Sequence, residues 1–279
     1  MHFSKSPTAD ITVIKVDRNR ISIPLRELIK YQDLLFFLTW KNVIVKYKQT
    51  LIGISWALIQ PIVQMVVFSI IFGKFARIPS DNVPYPIFVY SALIPWTFFA
   101  NSITACNNSI INHAGLINKV YFPRLLIPLS AIGSHLIDFG LSFFVLIGII
   151  IYYHFTLSWG LFMIIPLTLL VLFTAMGFGI LISALSGIYR DIRHIVPYFL
   201  TIWLFLTPVI YPRTILGVKF EFMILLNPLT GIVGGFRSAI LQQPFDWTAI
   251  GWSIIITCLF FILGIFYFNK AEDRFADII

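Results

Sequence analysis

Charge is scarce in this sequence of 279 residues. Asp, Glu, Lys and Arg make up 11% of it, 58% is hydrophobic and the mean hydropathy is +0.89. Soluble domains carry about 25% charged residues, so the composition excludes an ordinary water-soluble protein. It predicts an all-α integral membrane protein, because helices satisfy their own backbone hydrogen bonds inside a bilayer.

Motifs for nucleotide binding and catalysis are also missing. The one Gly-Lys pair, Gly73-Lys74, lacks the upstream glycine and the following Ser or Thr of a phosphate-binding loop. The histidines are scattered without metal-ligand spacing, and no nucleophile motif is present. Cys106 and Cys258 lie in apolar runs and are predicted to be free, buried thiols. We therefore expect no enzymatic activity, no cofactor or metal in this chain, and an energy source in a partner.

Long uncharged runs account for most of the chain. A helix needs about 20 apolar residues to cross a bilayer. On this basis we predict six transmembrane helices, at residues 53–73, 87–105, 125–153, 161–186, 195–211 and 250–268. The chain is treated as a single transmembrane domain, 1–279, in which residues 1–24 form a cytoplasmic tail.

An amphipathic helix is predicted before the first span, at residues 25–50. Basic residues gather on one side of it, and apolar residues such as Leu35 and Leu38 lie on the other. Such a helix can rest on the anionic inner leaflet, in contact with membrane lipids. The net charge of +8 is explained by basic residues beside spans, so we expect no nucleic acid partner.

The distribution of Lys and Arg predicts the orientation. With six spans and both termini inside, fifteen of these residues lie on the inner side and five on the outer side. Because cytoplasmic loops are enriched in basic residues, both termini are predicted to be cytoplasmic.

Residues 213–247 are predicted to form a re-entrant helical hairpin on the outer side, before the last span. The uncharged run Phe222–Phe236 is too short to cross the hydrocarbon core, and Asn227-Pro228 interrupts its hydrogen bonding. Irregular backbone at membrane depth must be enclosed by protein or line a water-filled cavity.

Two polar features lie in or beside the spans. Asp138 is ionisable and lies inside the third run; we favour a structural aspartate paired with a neighbour over a proton relay. Residues 107–119 are rich in asparagine and too polar for lipid, so we predict a polar helix on the cytoplasmic side. An ordinary solvated loop is the alternative.

Several stretches together resemble one protein family, the membrane (permease) subunits of polysaccharide-export ABC transporters of type 2. That family exports lipid-linked O-antigen, capsule or teichoic acid chains. The resemblance covers roughly residues 31–268. The matching stretches are "TWKNVIVKYKQTLIGISWALIQP", "ALIPWTFFANSI", "LINKVYFPRLLIPLSAI", "RDIRHIVPYFLTIWLFLTPVIYP" and "LNPLTGIVGGFR".

The resemblance implies a homodimer in the bacterial inner membrane, with two copies of a separate ATPase subunit that binds ATP and Mg. The substrate would be a lipid-linked polysaccharide, with O-antigen first and capsule or teichoic acid as alternatives. Residues 25–50 would border the ATPase, and residues 107–119 would form a cytoplasmic gating and coupling segment. The implied coupling and gating residues are Asn112, His113, Asn118, Lys119, Arg190 and Arg193.

Aromatic side chains are the candidates for the substrate channel. Sugar rings have apolar faces that can stack on aromatic rings, and the resemblance favours a sugar-lined pore. The alternative for each residue is packing or an interfacial belt. The candidates are Trp96, Phe98, Phe99, Tyr198, Trp203 and Tyr211.

Two other function classes, a membrane transferase and a secondary transporter, would require features of their own in the sequence. An integral membrane transferase of lipid-linked sugars would need acidic pairs or a metal site, and Asp138 stands alone in its run. A secondary transporter would show broken spans in paired halves and several embedded charges.

Overall fold

The computed structural model describes residues 25–48, 53–117, 119–155, 159–215 and 218–278. Regular structure in these ranges is entirely helical, which confirms the predicted all-α class. Short 3₁₀ turns cover Gly53–Ser55, Trp159–Met163 and Arg213–Ile215, and the π-helical stretch Ser69–Phe75 extends α3. The α-helices are α1 (Leu25–Lys30), α2 (Gln32–Tyr47), α3 (Trp56–Phe68), α4 (Tyr85–Asn112), α5 (Ala114–Ile117), α6 (Leu126–Tyr152), α7 (Ile164–Ile188), α8 (Ile192–Leu206), α9 (Val218–Leu225), α10 (Pro228–Leu241) and α11 (Trp247–Ile278).

Five helical segments of the described chain are long and apolar enough to cross a membrane. They match five of the six predicted spans, and together with the shorter apolar helix α8 they agree with a membrane protein of about six spans. The segments are Gly53–Phe75, Tyr85–Asn112, Leu126–Tyr152, Trp159–Ile188 and Trp247–Glu272.

The predicted span 195–211 corresponds to α8, which ends earlier than expected. The 15 residues of α8 rise about 22 Å at 1.5 Å per residue, less than the roughly 30 Å hydrocarbon core. Thr207 has extended backbone angles, φ −93° and ψ 137°. The proline ring at Pro208 disfavours the helical conformation at the preceding residue, so α8 ends at Leu206.

The predicted amphipathic helix 25–50 is two helices separated by a turn at Tyr31. Leu38 of α2 is 2% exposed and packs in an apolar cluster with residues of α6, α7 and α11, among them Leu126, Ile180 and Phe275. A Cβ at Gly133 of α6 would lie 3.1 Å from the side chain of Thr39, so this glycine allows α2 close to α6. The predicted tail, residues 1–24, lies outside the described residues.

Helix α4 is the central element of the fold. It packs against α3, α6, α7, α8 and α10, and its bulky residues from Ile87 to Ile94 are buried. The helix continues past the predicted end of the second span at residue 105 and reaches Asn112. The polar residues 107–112 therefore prolong the spanning helix, and the break before α5 falls at His113.

The segment predicted to form a hairpin divides at Asn227-Pro228, between α9 and α10. Asn227 caps α10: its Oδ1 accepts a hydrogen bond from the Leu229 backbone N–H at 3.0 Å. Helix α10 is almost wholly buried and lies on α11. A Cβ at Gly231 would lie 2.2 Å from the Ala249 carbonyl oxygen, so only glycine permits this contact.

Glycines bring α7 and α11 together: a Cβ at Gly177 would lie 2.8 Å from the Phe261 backbone nitrogen. A Cβ at Gly264 of α11 would lie 2.5 Å from the Gly177 carbonyl oxygen. Both cysteines are free, but Cys258 is exposed, so the prediction that it is buried is wrong. An apolar run in a membrane helix can face outward as well as inward, which is why hydropathy alone misplaced this thiol.

Candidate functional site

A polar stripe runs along the C-terminal half of α4. Its members recur every three or four residues, which places them on one side of the helix. Each is partly or fully exposed, in contrast to the buried residues between them. The stripe consists of Thr97, Asn101, Thr104, Asn108 and Asn112.

The stripe forms one wall of a groove between α2, α4 and α6. We call it the polar groove. Asn42 and Lys46 of α2 and Ser134 and His135 of α6 form the facing wall. This part of the groove has a volume of about 350 Å³. Polar walls are costly within a membrane, so a groove of this composition indicates a polar occupant or water.

A charged cluster closes the inner end of the polar groove. The Lys46 Nζ and the Tyr47 hydroxyl both donate hydrogen bonds to the Asp138 carboxylate. The His135 Nδ1 lies 3.2 Å from the Asp138 Oδ2 and 3.3 Å from the Lys46 Nζ. The prediction that Asp138 pairs with a neighbour is confirmed, and the pairing joins α2 to the middle of α6.

Beyond this cluster the polar groove continues into a smaller cavity of about 90 Å³ between α3, α4 and α6. Lys46, Asn101 and His135 line both parts, so the two are contiguous. The walls of the inner cavity carry both aromatic and amide groups. They include the rings of Trp56, Phe98 and Phe139 and the side-chain amide of Gln60.

A second, apolar surface lies where α4 meets α7 and α8. The Trp203 ring contacts Phe99 and Phe178 edge to face, with centroids 5.1 and 5.3 Å apart. Phe178 stacks on Phe260 at 4.0 Å. A mainly apolar pocket of about 420 Å³ adjoins these rings and reaches α9.

The structure distributes the six predicted channel aromatics over different environments. Trp96 and Phe99 are 4% and 0% exposed, and Trp203 is 8% exposed in the ring cluster. Phe98 lines the inner cavity, and Tyr211 lines the apolar pocket. Tyr198 is 70% exposed. The role of this set in a channel stays a prediction.

The predicted coupling residues also divide. Asn112 and His113 line the polar groove near the C-terminal end of α4. Lys119 lines a separate pocket in the loop before α6, with Arg124. Asn118 lies outside the described residues, and Arg190 is exposed in the turn before α8. The backbone carbonyl of Arg193 accepts a hydrogen bond from the Asn107 Nδ2 at 3.1 Å. Their role in coupling stays a prediction.

Arg237 of α10 is a buried charged residue that the sequence did not single out. It is 5% exposed, and its guanidinium donates a hydrogen bond to the Val209 carbonyl at 3.0 Å. Its Nε has no hydrogen-bond partner within the described part of the chain. Tyr85 of α4 donates to the Ile210 carbonyl at 2.6 Å, so both side chains hold the segment after α8.

The loop before α11 is held by charge. Arg213 forms ion pairs with Glu221 and Asp246. Burial raises the pKa of Asp246, but hydrogen bonds from Ala249 and Thr248 and the charge of Arg213 outweigh it, so the pKa of this carboxyl lies below its usual value. No group of three or more His, Cys, Asp and Glu side chains within the described ranges is placed to hold a metal ion.

The stripe on α4 and Gln60 are the groove residues that sequence reasoning did not bring together. The asparagines from Asn107 onward were predicted to belong to a separate segment, residues 107–119. The period of three to four residues from Thr97 to Asn112 is the signal that could have found the stripe.

Comparison with known proteins identifies the family. Residues 33–241 match the family model of the ABC-2 type transporter. An O-antigen export system permease protein RfbA of Klebsiella pneumoniae is 30% identical over 253 residues, covering 88% of this chain and 95% of that protein. The RfbA protein of Myxococcus xanthus is 27% identical over 222 residues (78% and 84%). The polysialic acid transport protein KpsM of Escherichia coli is 19% identical over 229 residues (80% and 87%). The chain belongs to the ABC-2 type membrane transporter family.

Proposed function

We propose that this chain is the permease subunit of an ATP-driven exporter of lipid-linked polysaccharide, with O-antigen as the first candidate. The observation that carries this is the 30% identity to an O-antigen export permease along 95% of that protein's length. The helical architecture supports it, because the described segments include five of spanning length and a shorter apolar helix.

The energy for export comes from a separate ATPase subunit. The sequence has no phosphate-binding loop of its own, so ATP and Mg bind to the partner. We propose a homodimer of this chain with two ATPase subunits, because about six spans leave little room for a central channel within one chain. The exposed Tyr198 on α8 is then available to line a path between the two copies.

Both termini face the cytoplasm of a bacterial cell in this proposal, and the chain lies in the inner membrane. The excess of Lys and Arg on that side supports the orientation. If this orientation is correct, a reporter that works only in the cytoplasm is active when it is fused after Ile279. A cysteine at Asn112 resists an impermeant thiol reagent added to intact cells; ready labelling would reverse the topology.

Capsule or teichoic acid export is the alternative within the family. The similarity to KpsM, a polysialic acid transport protein, supports a polysaccharide substrate without choosing between them. An integral membrane transferase has less support. Asp138, the acidic residue that would serve it, is already engaged by Lys46 and Tyr47.

Export is tested by deleting the gene and restoring it on a plasmid. The deletion is expected to abolish surface O-antigen and to accumulate lipid-linked polymer inside the cell. Restoration of this chain recovers export only when the ATPase subunit is intact. Normal surface polymer in the deletion strain, or ATP hydrolysis by the purified chain alone, would contradict the proposal.

A further inference from the structure

The amides of Gln60 and Asn101 carry the inference. Both line the inner cavity, on α3 and α4. Asn101 is half-buried and Gln60 is exposed, and neither side chain makes a hydrogen bond to any other described residue, whereas Asn42, Asn107 and Asn108 each donate one. Inside a bilayer an amide without a partner is unfavourable, so these two indicate an occupant that both donates and accepts hydrogen bonds.

The walls around these amides are aromatic. Phe98 and Phe139 are buried, with ring centroids 5.1 Å apart, and Trp56 is 52% exposed at the rim. A pyranose ring presents hydroxyl groups at its edge and C–H groups on its faces. Amides beside aromatic rings match both parts of such a ring.

The charge of the groove argues against an ionic occupant. The one carboxylate of the lining, Asp138, is paired with Lys46, and His135 lies within 3.3 Å of both. A phosphate or an ammonium group would have to compete with this ion pair. A neutral, hydroxyl-rich ligand would not.

We propose that the polar groove, with its inner cavity, is a binding site for sugar residues of the exported polymer. Gln60 and Asn101 would bond ring hydroxyls, and Trp56 and Phe98 would contact the ring faces. The stripe from Asn101 to Asn112 extends this surface to the cytoplasmic end of α4. This site rests on the proposed function, since it takes the polymer as ligand.

The test uses the permease–ATPase complex in lipid nanodiscs. The probe is the water-soluble polysaccharide released by mild acid from the lipid carrier of the same strain, and its dissociation constant is measured by thermophoresis. Asn101→Leu and Gln60→Leu keep approximate size and remove the amide. Each is expected to weaken binding about tenfold, which corresponds to the loss of one hydrogen bond. Asn101→Gln, which keeps an amide, is expected to retain part of the affinity.

Gln64→Leu is the matched control, because Gln64 lies one turn further along α3 and outside the cavity lining. It is expected to leave the affinity unchanged. Unfolding midpoints of all variants show whether they are folded. If the folded Asn101→Leu and Gln60→Leu variants bind the polysaccharide as well as wild type, the site is refuted and the proposed function stands.

Two further outcomes overturn the proposal in distinct ways. If wild type neither binds the polysaccharide nor restores export in the deletion strain, the proposed function itself fails. If wild type exports but the groove variants lose affinity only for a short-chain phospholipid, the groove holds a lipid headgroup and not the polymer.

Discussion

The guanidinium carbon of Arg237 lies 3.6 Å from the centre of the Phe88 ring. This contact joins α10 to the central helix α4, and the hydrogen bond to Val209 adds the segment after α8. Replacing Arg237 by Ala removes both interactions and leaves a buried carbonyl without a partner. We expect a loss of about 2–4 kcal/mol of stability, measured as a lower unfolding temperature in detergent. Lys270→Ala, at an exposed position, is the control, and equal unfolding temperatures would contradict the prediction.

Charge reversal tests the link between α2 and α6. Lys46→Asp places two carboxylates together, and Asp138→Lys places two ammonium groups together. Each single variant is expected to lose on the order of 3 kcal/mol, because a half-buried charge is left uncompensated. The double variant restores an opposite pair and is expected to recover much of the folded yield on size-exclusion chromatography. Lys41→Asp, exposed on the same helix, controls for charge alone. Purely additive losses in the double variant would show that the pair is not coupled.

The close approach of α7 and α11 predicts a size limit at Gly264. Ala at this position meets the Gly177 carbonyl oxygen and should destabilise the protein by about 1–3 kcal/mol. Gly148→Ala in α6 is the matched control, since an added Cβ there has nothing within 4 Å. Alanine favours a helix by up to about 1 kcal/mol over glycine, so the control should be neutral or stabilising. Thermal unfolding of the two variants separates these outcomes.

Two aromatic variants distinguish packing from a channel role. Trp203→Ala removes a buried ring with edge-to-face contacts and is expected to cost about 3–5 kcal/mol, so its abundance falls first. Tyr198 is 70% exposed, and Tyr198→Ala should keep normal abundance while lowering polymer export. Immunoblotting of membranes and surface polymer assays report the two quantities. Normal export by Tyr198→Ala would remove this residue from the channel.

Acid should loosen the first turn of α11. The pKa of Asp246 is lower in the folded protein than in the unfolded chain, where it is about 3.9. Its stabilising contribution is therefore complete above the unfolded pKa and is lost as the pH falls through the folded pKa. Hydrogen exchange at Ala249, whose N–H bonds the carboxylate at 3.0 Å, should accelerate relative to its intrinsic rate as the pH falls through the folded pKa. Asp246→Asn should remove most of this pH dependence.

The positions of the helices along the chain were easier to predict from the sequence than the side of each helix that is buried. Length and hydropathy placed five spans to within a few residues, and Asn227-Pro228 marked the division between α9 and α10. The end of α8 was also readable, because Pro208 constrains Thr207. These features depend on neighbours in the chain.

Features that depend on distant residues could not be predicted. Arg237 becomes buried because Phe88 and Val209 enclose it, and no local pattern reports those partners. The same holds for the aromatics: Phe99 and Tyr198 have similar hydropathic surroundings, yet one is 0% and the other 70% exposed. The polar stripe on α4 lay within reach of a periodicity argument, but its facing wall comes from α2 and α6.

The glycine contact between α10 and α11 constrains how these two helices can move. Because Gly231 lies directly on the Ala249 backbone, α10 cannot slide on α11 without separating from it. Helix α11 runs uninterrupted for 32 residues, about 48 Å, and its Phe275 is buried against Gly187 at the opposite end from this contact. A tilt of α10 is therefore expected to carry the whole of α11 with it. Helix α9 is attached differently: Glu221 pairs with Arg213 and the Phe222 ring meets Trp252, so these two contacts must break before α9 can turn about Asn227.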